Sequence, residues 1–320
     1  MKFRTEIKIG KAYPQINYES KIALFGSCFS EHISSCLKRY QFQTFTNSHG
    51  IVFHPLAIEN SIKRSLEGKK YCAEDLNKLN DIWFSYEHHS KFSSTDPKST
   101  LQKINDHIKL GNVFLSEASH VIFTLGTAWV YKRSNGNLVA NCHKVPQKEF
   151  SKTLLSHEEI TNSLVRTIER LKLQRPGLTI ILTLSPVRHL KDGFVENAQS
   201  KGLLLNAIHS VCDMKKVHYF PSYEIMMDDL RDYRFYEKDL IHPSETAVEY
   251  IWEKFKDTWV DESIHLDMKE IDRVFTSLNH KPFHEKSDAH QTFLEELTVK
   301  IKSLEEKYPH LSFHKKRGSN

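Results

Sequence analysis

Long apolar runs are missing from this sequence. No window approaches the ~18 consecutive apolar residues that a membrane span requires, so no membrane partner is expected. The opening stretch, Met1-Lys2-Phe3-Arg4-Thr5-Glu6-Ile7, has neither an apolar core region nor a small-residue cleavage site, and no secretory leader is read there. Cysteine is sparse: five residues, an odd number at irregular spacing. That argues against a disulfide framework and fits a reducing, cytoplasmic setting in which thiols stay free for chemistry. An excess of one charge is also absent. The net +5 is mild for 320 residues, lysines are dispersed, and the terminal basic cluster His314-Lys315-Lys316-Arg317 reads as a solvated tail. Nucleic acid is therefore not expected as a partner. Internal repeats and low-complexity tracts are missing too.

What is present is the composition of a globular protein, 39% hydrophobic and 27% charged, long enough for one α/β domain with an appendage. After an extended, polar entry over residues 1–20, Lys21-Ile22-Ala23-Leu24-Phe25 is a short, mainly apolar run stopped by Gly26, the pattern of a strand buried on both faces. Ser30 is a candidate cap for a helix with Ile33, Cys36, Leu37 and Tyr40 at helical spacing. Further strands are predicted at 43–45, 121–125, 179–184 and 217–220, with helices near 56–66, 157–173 and 197–212. Ser244 caps one more, with Val248, Ile251, Trp252 and Phe255 on one face. Strands alternating with helices imply a three-layer α/β/α domain around a mostly parallel sheet of about five strands. Residues 69–110, with a polar loop at 93–99, read as an insertion over the sheet edge. The domain is expected to span 1–258. A C-terminal appendage, 259–320, would hold two amphipathic helices (Ile271, Val274, Phe275, Leu278; Phe293, Leu297, Ile301, Leu304) linked by 280–287. Such a hairpin packs on the domain or supplies a face for a homo-oligomer.

Two short motifs carry chemistry. Gly26-Ser27-Cys28 falls at a strand-to-helix turn, where unpaired N–H groups and the helix dipole favour a thiolate and stabilise an oxyanion. Asp239-Leu240-Ile241-His242-Pro243 has the spacing that lets a carboxylate fold back onto His Nδ1 and leave Nε2 as a general base. Either motif alone is common. Histidines are numerous (His88-His89, His143, His189, His242), yet none of these falls in a His-x₃-His spacing and no Cys-x₂-Cys appears, so neither a metal nor another cofactor is expected. Arg188 reads equally as a holder of an anionic substrate group or of a structural carboxylate. The aromatic-rich stretch 219–236 reads as packing beneath a long loop, slightly ahead of a pocket lining.

Together the two motifs form the arrangement of SGNH (GDSL-like) hydrolases, and Phe25-Gly26-Ser27-Cys28-Phe29-Ser30 resembles the signature of the GSCFA family, with Ser30 in place of its alanine. Leu125-Gly126-Thr127-Ala128-Trp129, Asn141-Cys142-His143-Lys144, Ser185-Pro186-Val187-Arg188-His189 and the Asp239–Pro243 stretch resemble it as well, over roughly residues 20–257. The resemblance implies an SGNH- or flavodoxin-like fold and an acyl-ester hydrolase or acyltransferase. Its substrate would be an ester, such as acetyl, on a glycan or small hydroxylated molecule. In SGNH register Cys28 takes the nucleophile position and Ser27 that of an aspartate. A thiol needs less activation than a hydroxyl, which favours Cys28 and leaves Ser27 as the alternative. Gly50 would be a second-block oxyanion donor. Gly126-Thr127-Ala128 lacks the third-block Asn, for which Asn141 or His89 would have to substitute; His143 would sit on a loop contacting substrate. A thiol peptidase or amidase, or a non-catalytic binding protein on a degenerate hydrolase fold, are the alternatives.

Overall fold

The computed structural model describes residues 4–215, 217–280 and 287–313. Most of the expected 280–287 link and the basic cluster at 314–317 lie outside the described residues. In chain order the elements are β1 (Lys21–Gly26), α1 (Cys28–Arg39), β2 (Gln43–Thr46), α2 (Pro55–Glu67), β3 (Asn77–Leu79), β4 (Ile82–Phe84), α3 (Pro97–Glu117), β5 (His120–Leu125) and β6 (Trp129–Arg133). There follow β7 (Leu138–Val139), β8 (Phe150–Leu154), α4 (His157–Gln174), β9 (Thr179–Leu184), α5 (Phe194–Lys215) and β10 (His218–Phe220). The chain ends with a short α6 (Ser222–Glu224), α7 (Glu245–Trp259), α8 (His265–Asn279) and α9 (Asp288–Lys307).

Five strands form one parallel sheet in the order β10-β9-β5-β1-β2. Alternation of side chains along each strand sorts the core into two layers. Ile22, Leu24, Ile122, Ile181 and Phe220 pack with α1, α7, α8 and α9 on one face. Ala23, Phe25, Val121, Phe123, Ile180 and Leu182 pack with α2, α3, α4 and α5 on the other. The fold is thus the expected three-layer α/β arrangement. From β1 the chain steps outward to β2 and then crosses back to β5 on the opposite side, so the strand order reverses between β1 and β5. The carboxyl ends of strands beside such a reversal are where open α/β sheets hold ligands.

Two expectations need correction, and one sheet was not expected. Helix α1 begins at Cys28 with Ser27, not Ser30, in the capping position, and the Ser30 hydroxyl donates to Ser27 O at 2.7 Å. Residues 69–110 are not simply an edge insertion. They hold the β3–β4 hairpin and most of α3, 21 residues opened by Asp96, which accepts from the N–H groups of Lys98 and Ser99, and by Pro97 in the first turn. Between β5 and α4 stands a second, antiparallel sheet, β7-β6-β8, that the sequence did not announce.

The C-terminal helices are joined to the rest by more than apolar contact. Arg39 of α1 grips Asp272 of α8 through two bonds of 2.9 and 2.8 Å and reaches Glu249 of α7 at 3.0 Å. Ile271, Val274, Phe275, Leu297 and Leu304 share one cluster with Trp252, Trp259 and Phe29.

Candidate active site

The turn between β1 and α1 is built around a glycine that nothing else could replace. Gly26 has φ +132°, and a Cβ there would lie 2.1 Å from Thr124 O on the adjacent strand. Its N–H donates to Asn47 Oδ1 at 2.8 Å, the next N–H, of Ser27, donates to Thr124 O at 3.0 Å, and Asn47 Nδ2 reaches Ser30 Oγ at 3.2 Å. Ser27 is fully buried and its hydroxyl has no hydrogen-bond partner. Cys28, by contrast, is partly exposed as the first residue of α1. Burial pushes its thiol up, while the N–H groups of Phe29 and Cys28 itself pull it down; Glu31 adds to the rise and Lys201 opposes it.

Asp239 and His242 occupy a tight loop that leads into α7. The Asp239 carboxylate accepts from His242 Nδ1 at 2.7 Å with one oxygen and from the N–H groups of Ile241 (2.9 Å) and His242 (3.0 Å) with the other. These bonds, led by the His242 N–H, hold its carboxyl down at about 2. Leu240, between them, sits at φ +58°, the left-handed backbone that closes so short a turn. The Glu237 N–H to His242 O bond of 2.8 Å closes the loop, and the Arg188 N–H reaches across to Ile241 O at 3.4 Å. His242 therefore stands beside the segment that follows β9, at the same sheet edge as Cys28. It is close enough to His32 of α1 and to His189 that its charge would lower the pKa of both.

The other expected residues fare unevenly. The Gly50 N–H is donated to Asn47 O at 2.8 Å and the Gly126 N–H to Phe53 O at 2.8 Å, so neither is free for an oxyanion. Gly50 is needed for space instead: at φ +75° its Cβ would lie 2.4 Å from that of His89. His89 Nδ1 accepts from the Lys91 N–H at 3.3 Å. His143 Nε2 lies 2.9 Å from both Ser85 O and His88 O, its ring stacks on Phe84 at 4.3 Å, and the Asn141 side chain accepts the His143 N–H at 2.9 Å. The two therefore brace one loop. Arg188 has no carboxylate within 4.0 Å among the described residues; a guanidinium N–H reaches Met227 Sδ at 3.5 Å. Among the described residues no group of three or more His, Cys, Asp or Glu is disposed to hold a metal ion.

Two residues not singled out for the site also lie at this edge of the sheet. His189 packs edge-on against Phe53 at 5.1 Å, and its Nε2 is buried without a partner, 3.0 Å from where a Cβ on Gly126 would be. Burial, chiefly, holds its pKa down at about 3, so the imidazole is neutral. Lys201 of α5 is buried, and its Nζ donates to Ser185 O at 2.7 Å. Lys201 falls at the helical spacing of Leu204, Ile208 and Val211, a cation on an apolar stripe, which is a signal visible in the sequence. His189 also lines a cavity of about 550 Å³ that continues between β6, β7 and the sheet edge, walled by Trp129, Tyr131, Phe53 and Phe150 and edged by Asn141 and Asp192.

A parallel five-stranded α/β protein with a thiol heading its first helix and an Asp–His couple at the same edge is the class that the fold and this site define. The chain belongs to the GSCFA family, whose model matches residues 21–255, and a second model, for the C-terminal domain of GSCFA domain proteins, matches residues 271–319. No curated protein matches the sequence. Among solved structures, an acetyl xylan esterase (Est2A) from the rumen bacterium Butyrivibrio proteoclasticus aligns over 79% of this chain and 66% of its own, at 10% identity and a TM-score of 0.40. A GDP-L-fucose synthetase from Naegleria fowleri aligns over 93% of this chain and 98% of its own, at 10% identity and a TM-score of 0.21. No helix among the described residues is long and apolar enough to cross a membrane.

Proposed function

We propose that the protein is an acyl-ester hydrolase or acyltransferase of SGNH type that uses Cys28 as nucleophile, His242 as general base and Asp239 to orient His242. The observation that carries this reading is the Asp239–His242 bond of 2.7 Å, made by a carboxylate held ionised at the sheet edge that Cys28 occupies. Ser27, buried with no path to a substrate, is the weaker nucleophile candidate. In the reaction His242 Nε2 takes the Cys28 proton as sulfur bonds to the ester carbonyl carbon. The tetrahedral intermediate then expels the alkoxide, which takes that proton from His242, and a thioester remains. Water, or the hydroxyl of an acceptor, attacks the thioester with His242 again as base and releases the acyl product and the free thiol. The N–H groups of Cys28 and Phe29 face the sulfur and are suited to hold the oxyanion. His189, with its unpartnered Nε2 beside Gly126, is proposed as the side-chain donor in place of the missing third-block Asn. The aromatic-walled cavity beyond His189 would take the acyl group or a hydroxylated acceptor such as a sugar ring.

The test is turnover of p-nitrophenyl acetate by the wild type and by Cys28→Ala, Ser27→Ala and His242→Ala. Loss of about 10²–10⁴ in Cys28→Ala and His242→Ala, with Ser27→Ala retaining activity, is the expected result. A wild type no faster than His242→Ala on this and on a panel of acetylated sugars would overturn the reading in favour of a binding protein.

A further inference from the structure

The half-buried arginines of this chain have strong partners, with one exception. Arg39 grips Asp272 at 2.8 Å, Arg64 reaches Glu87 at 3.6 Å, Arg170 reaches Glu59 at 3.5 Å, and Arg133 lies over the Tyr86 ring at 4.5 Å. Arg188, half-buried in the segment after β9, makes one side-chain hydrogen bond among the described residues, to Met227 Sδ at 3.5 Å. A thioether is a weak acceptor, and a guanidinium has five N–H donors to place. Packing against Met227 would be served as well by a Leu or Met, which carry no charge to desolvate. Of the two roles that the sequence allows Arg188, holder of a structural carboxylate and holder of an anionic substrate group, the first has no carboxylate to fill it.

Arg188 and Met227 line a cavity of about 260 Å³ beside the π-helical turn Ile225–Asp229, with Met226, Leu230 and Leu240 as further apolar wall and the phenols of Tyr233 and Tyr236. Leu240 is the left-handed residue that lets Asp239 fold back on His242, and the bond of 3.4 Å from the Arg188 N–H to Ile241 O ties the cation to the same loop. The other charges on the wall are already paired, Arg231 with Asp228 at 2.9 Å and Asp232 with Arg234 at 3.6 Å. The next residue, His189, lines the aromatic-walled cavity instead. Residues 188 and 189 thus stand between two recesses, one aromatic and one carrying an unpartnered cation.

We propose that the cavity beside the Asp239–His242 loop is a subsite for a carboxylate carried by the ester substrate, and that Arg188 is the residue that receives it and selects for it. The proposal deepens the acyl-transfer reading and rests on His242 being its base. A planar guanidinium matches a carboxylate through two parallel N–H···O bonds. One unpartnered cation, with the Asp232 carboxylate on the same wall, suits a single negative charge and opposes a phosphate dianion more strongly. The substrate class is therefore an acidic ester, such as the half-ester of a dicarboxylic acid or an acyl group on a carboxylated acceptor. The half without the acid lies in the aromatic-walled cavity.

The experiment has a binding arm and a turnover arm, both on the full chain. In the first, the side-chain Nε–H resonances of ¹⁵N-arginine-labelled protein are followed as monomethyl adipate, neutral dimethyl adipate or methyl phosphate is added; the Arg188 signal is the one missing from Arg188→Lys. Monomethyl adipate should move that signal saturably, methyl phosphate more weakly, and the diester not at all. In the second, kcat/KM for p-nitrophenyl hydrogen adipate is divided by that for p-nitrophenyl hexanoate, a neutral chain of equal length. This preference should fall about ten- to a hundredfold in Arg188→Gln, mainly through KM, and return in part in Arg188→Lys, which keeps the charge without the fork. An Arg188 signal that monomethyl adipate does not move overturns the proposal, as does a preference unaltered in a folded Arg188→Gln protein. A signal that methyl phosphate moves at lower concentration overturns the choice of a carboxylate. Should Arg188→Gln fail to fold, the wild-type titration and Arg188→Lys decide. Binding without turnover of either ester would sink the esterase reading and leave the carboxylate site, and turnover without binding or preference would do the reverse.

Discussion

Cys28, His189 and Lys201 are set into the molecule, whereas Asp239 and His242 stand 46% and 43% exposed on a loop of their own making. The first group is held by long-range contacts. Residues from β1, β5, the β2–α2 loop and α5 meet there, and each side chain feels the others in a medium that strengthens charge. The second group is held mainly by bonds that span two to five residues, in water, with one long-range bond from the Arg188 N–H. An exposed pair like Asp239–His242 adds little to stability, so its worth lies in fixing which imidazole nitrogen points outward. In the proposed reaction one half of the site would set how reactive a group is, and the other half would set where a proton goes. That division predicts unequal responses to substitution.

Short of removing the Cys28 thiol or the His242 imidazole itself, the largest effect should come from the buried half. His189→Phe keeps the ring against Phe53 but removes the unpartnered Nε2. If that nitrogen holds the oxyanion, kcat should fall about 10²–10³-fold with KM little changed, read with p-nitrophenyl acetate in a protein of unaltered circular dichroism. A kcat within about threefold of wild type, with KM raised instead, would assign His189 to the cavity wall alone.

On the exposed half, Asp239→Asn should cost less, about ten- to a hundredfold in kcat, well short of the ~10⁴ seen when a buried triad aspartate is neutralised. The amide keeps the acceptor for the Ile241 and His242 N–H groups, so the loop survives and only the hold on Nδ1 weakens. The pH response has a definite sign. Asp239 is depressed in the folded chain to about 2 from an ordinary ~3.9. Its contribution to stability is thus complete above the unfolded value and is lost as pH falls through about 2. Acid unfolding followed by fluorescence should show wild type and Asp239→Asn converging over that window. Curves that keep a constant separation down to pH 2 would mean that the carboxylate is not what ties the loop.

How legible each half was in the sequence follows from the same contrast. Asp-x-x-His is a local pattern, and its geometry can be read from spacing because the bonds run between near neighbours. The β1–turn–α1 motif was legible for a similar reason: a buried strand stopped by glycine and followed by helical spacing leaves few alternatives. Strands β1, β5 and β9 came through because each is a short, mostly apolar run. Helix α3 did not, because Ile104, Ile108 and Leu115 are diluted by polar residues, although Asp96-Pro97 was a readable start signal. The β6–β8 sheet alternates too weakly over strands of two to five residues to stand out from a loop. Gly50 was read as an oxyanion donor from the motif alone, and only the tertiary structure reveals that its N–H is already donated to Asn47, as that of Gly126 is to Phe53. His189 and Lys201 matter because of what other elements bring beside them, which no spacing encodes.

The finest test of the comparison is Leu240→Gly. Leu240 is 52% exposed and adopts φ +58° solely so that Asp239 can fold back on His242. The left-handed conformation costs a residue with a Cβ about 1–2 kcal/mol, and glycine avoids that cost while losing more backbone entropy on folding, about 0.5–1 kcal/mol. The balance should leave the variant between unchanged and about 1 kcal/mol more stable by urea denaturation, with kcat close to wild type. Because the loop's geometry is determined by the bonds of Asp239 rather than by the Leu240 side chain, easing the strain should not free the imidazole. A variant that is more stable yet loses activity about as badly as Asp239→Asn would show the opposite: that the strained leucine holds the exposed half rigid, and that the two halves of the site are both set by packing.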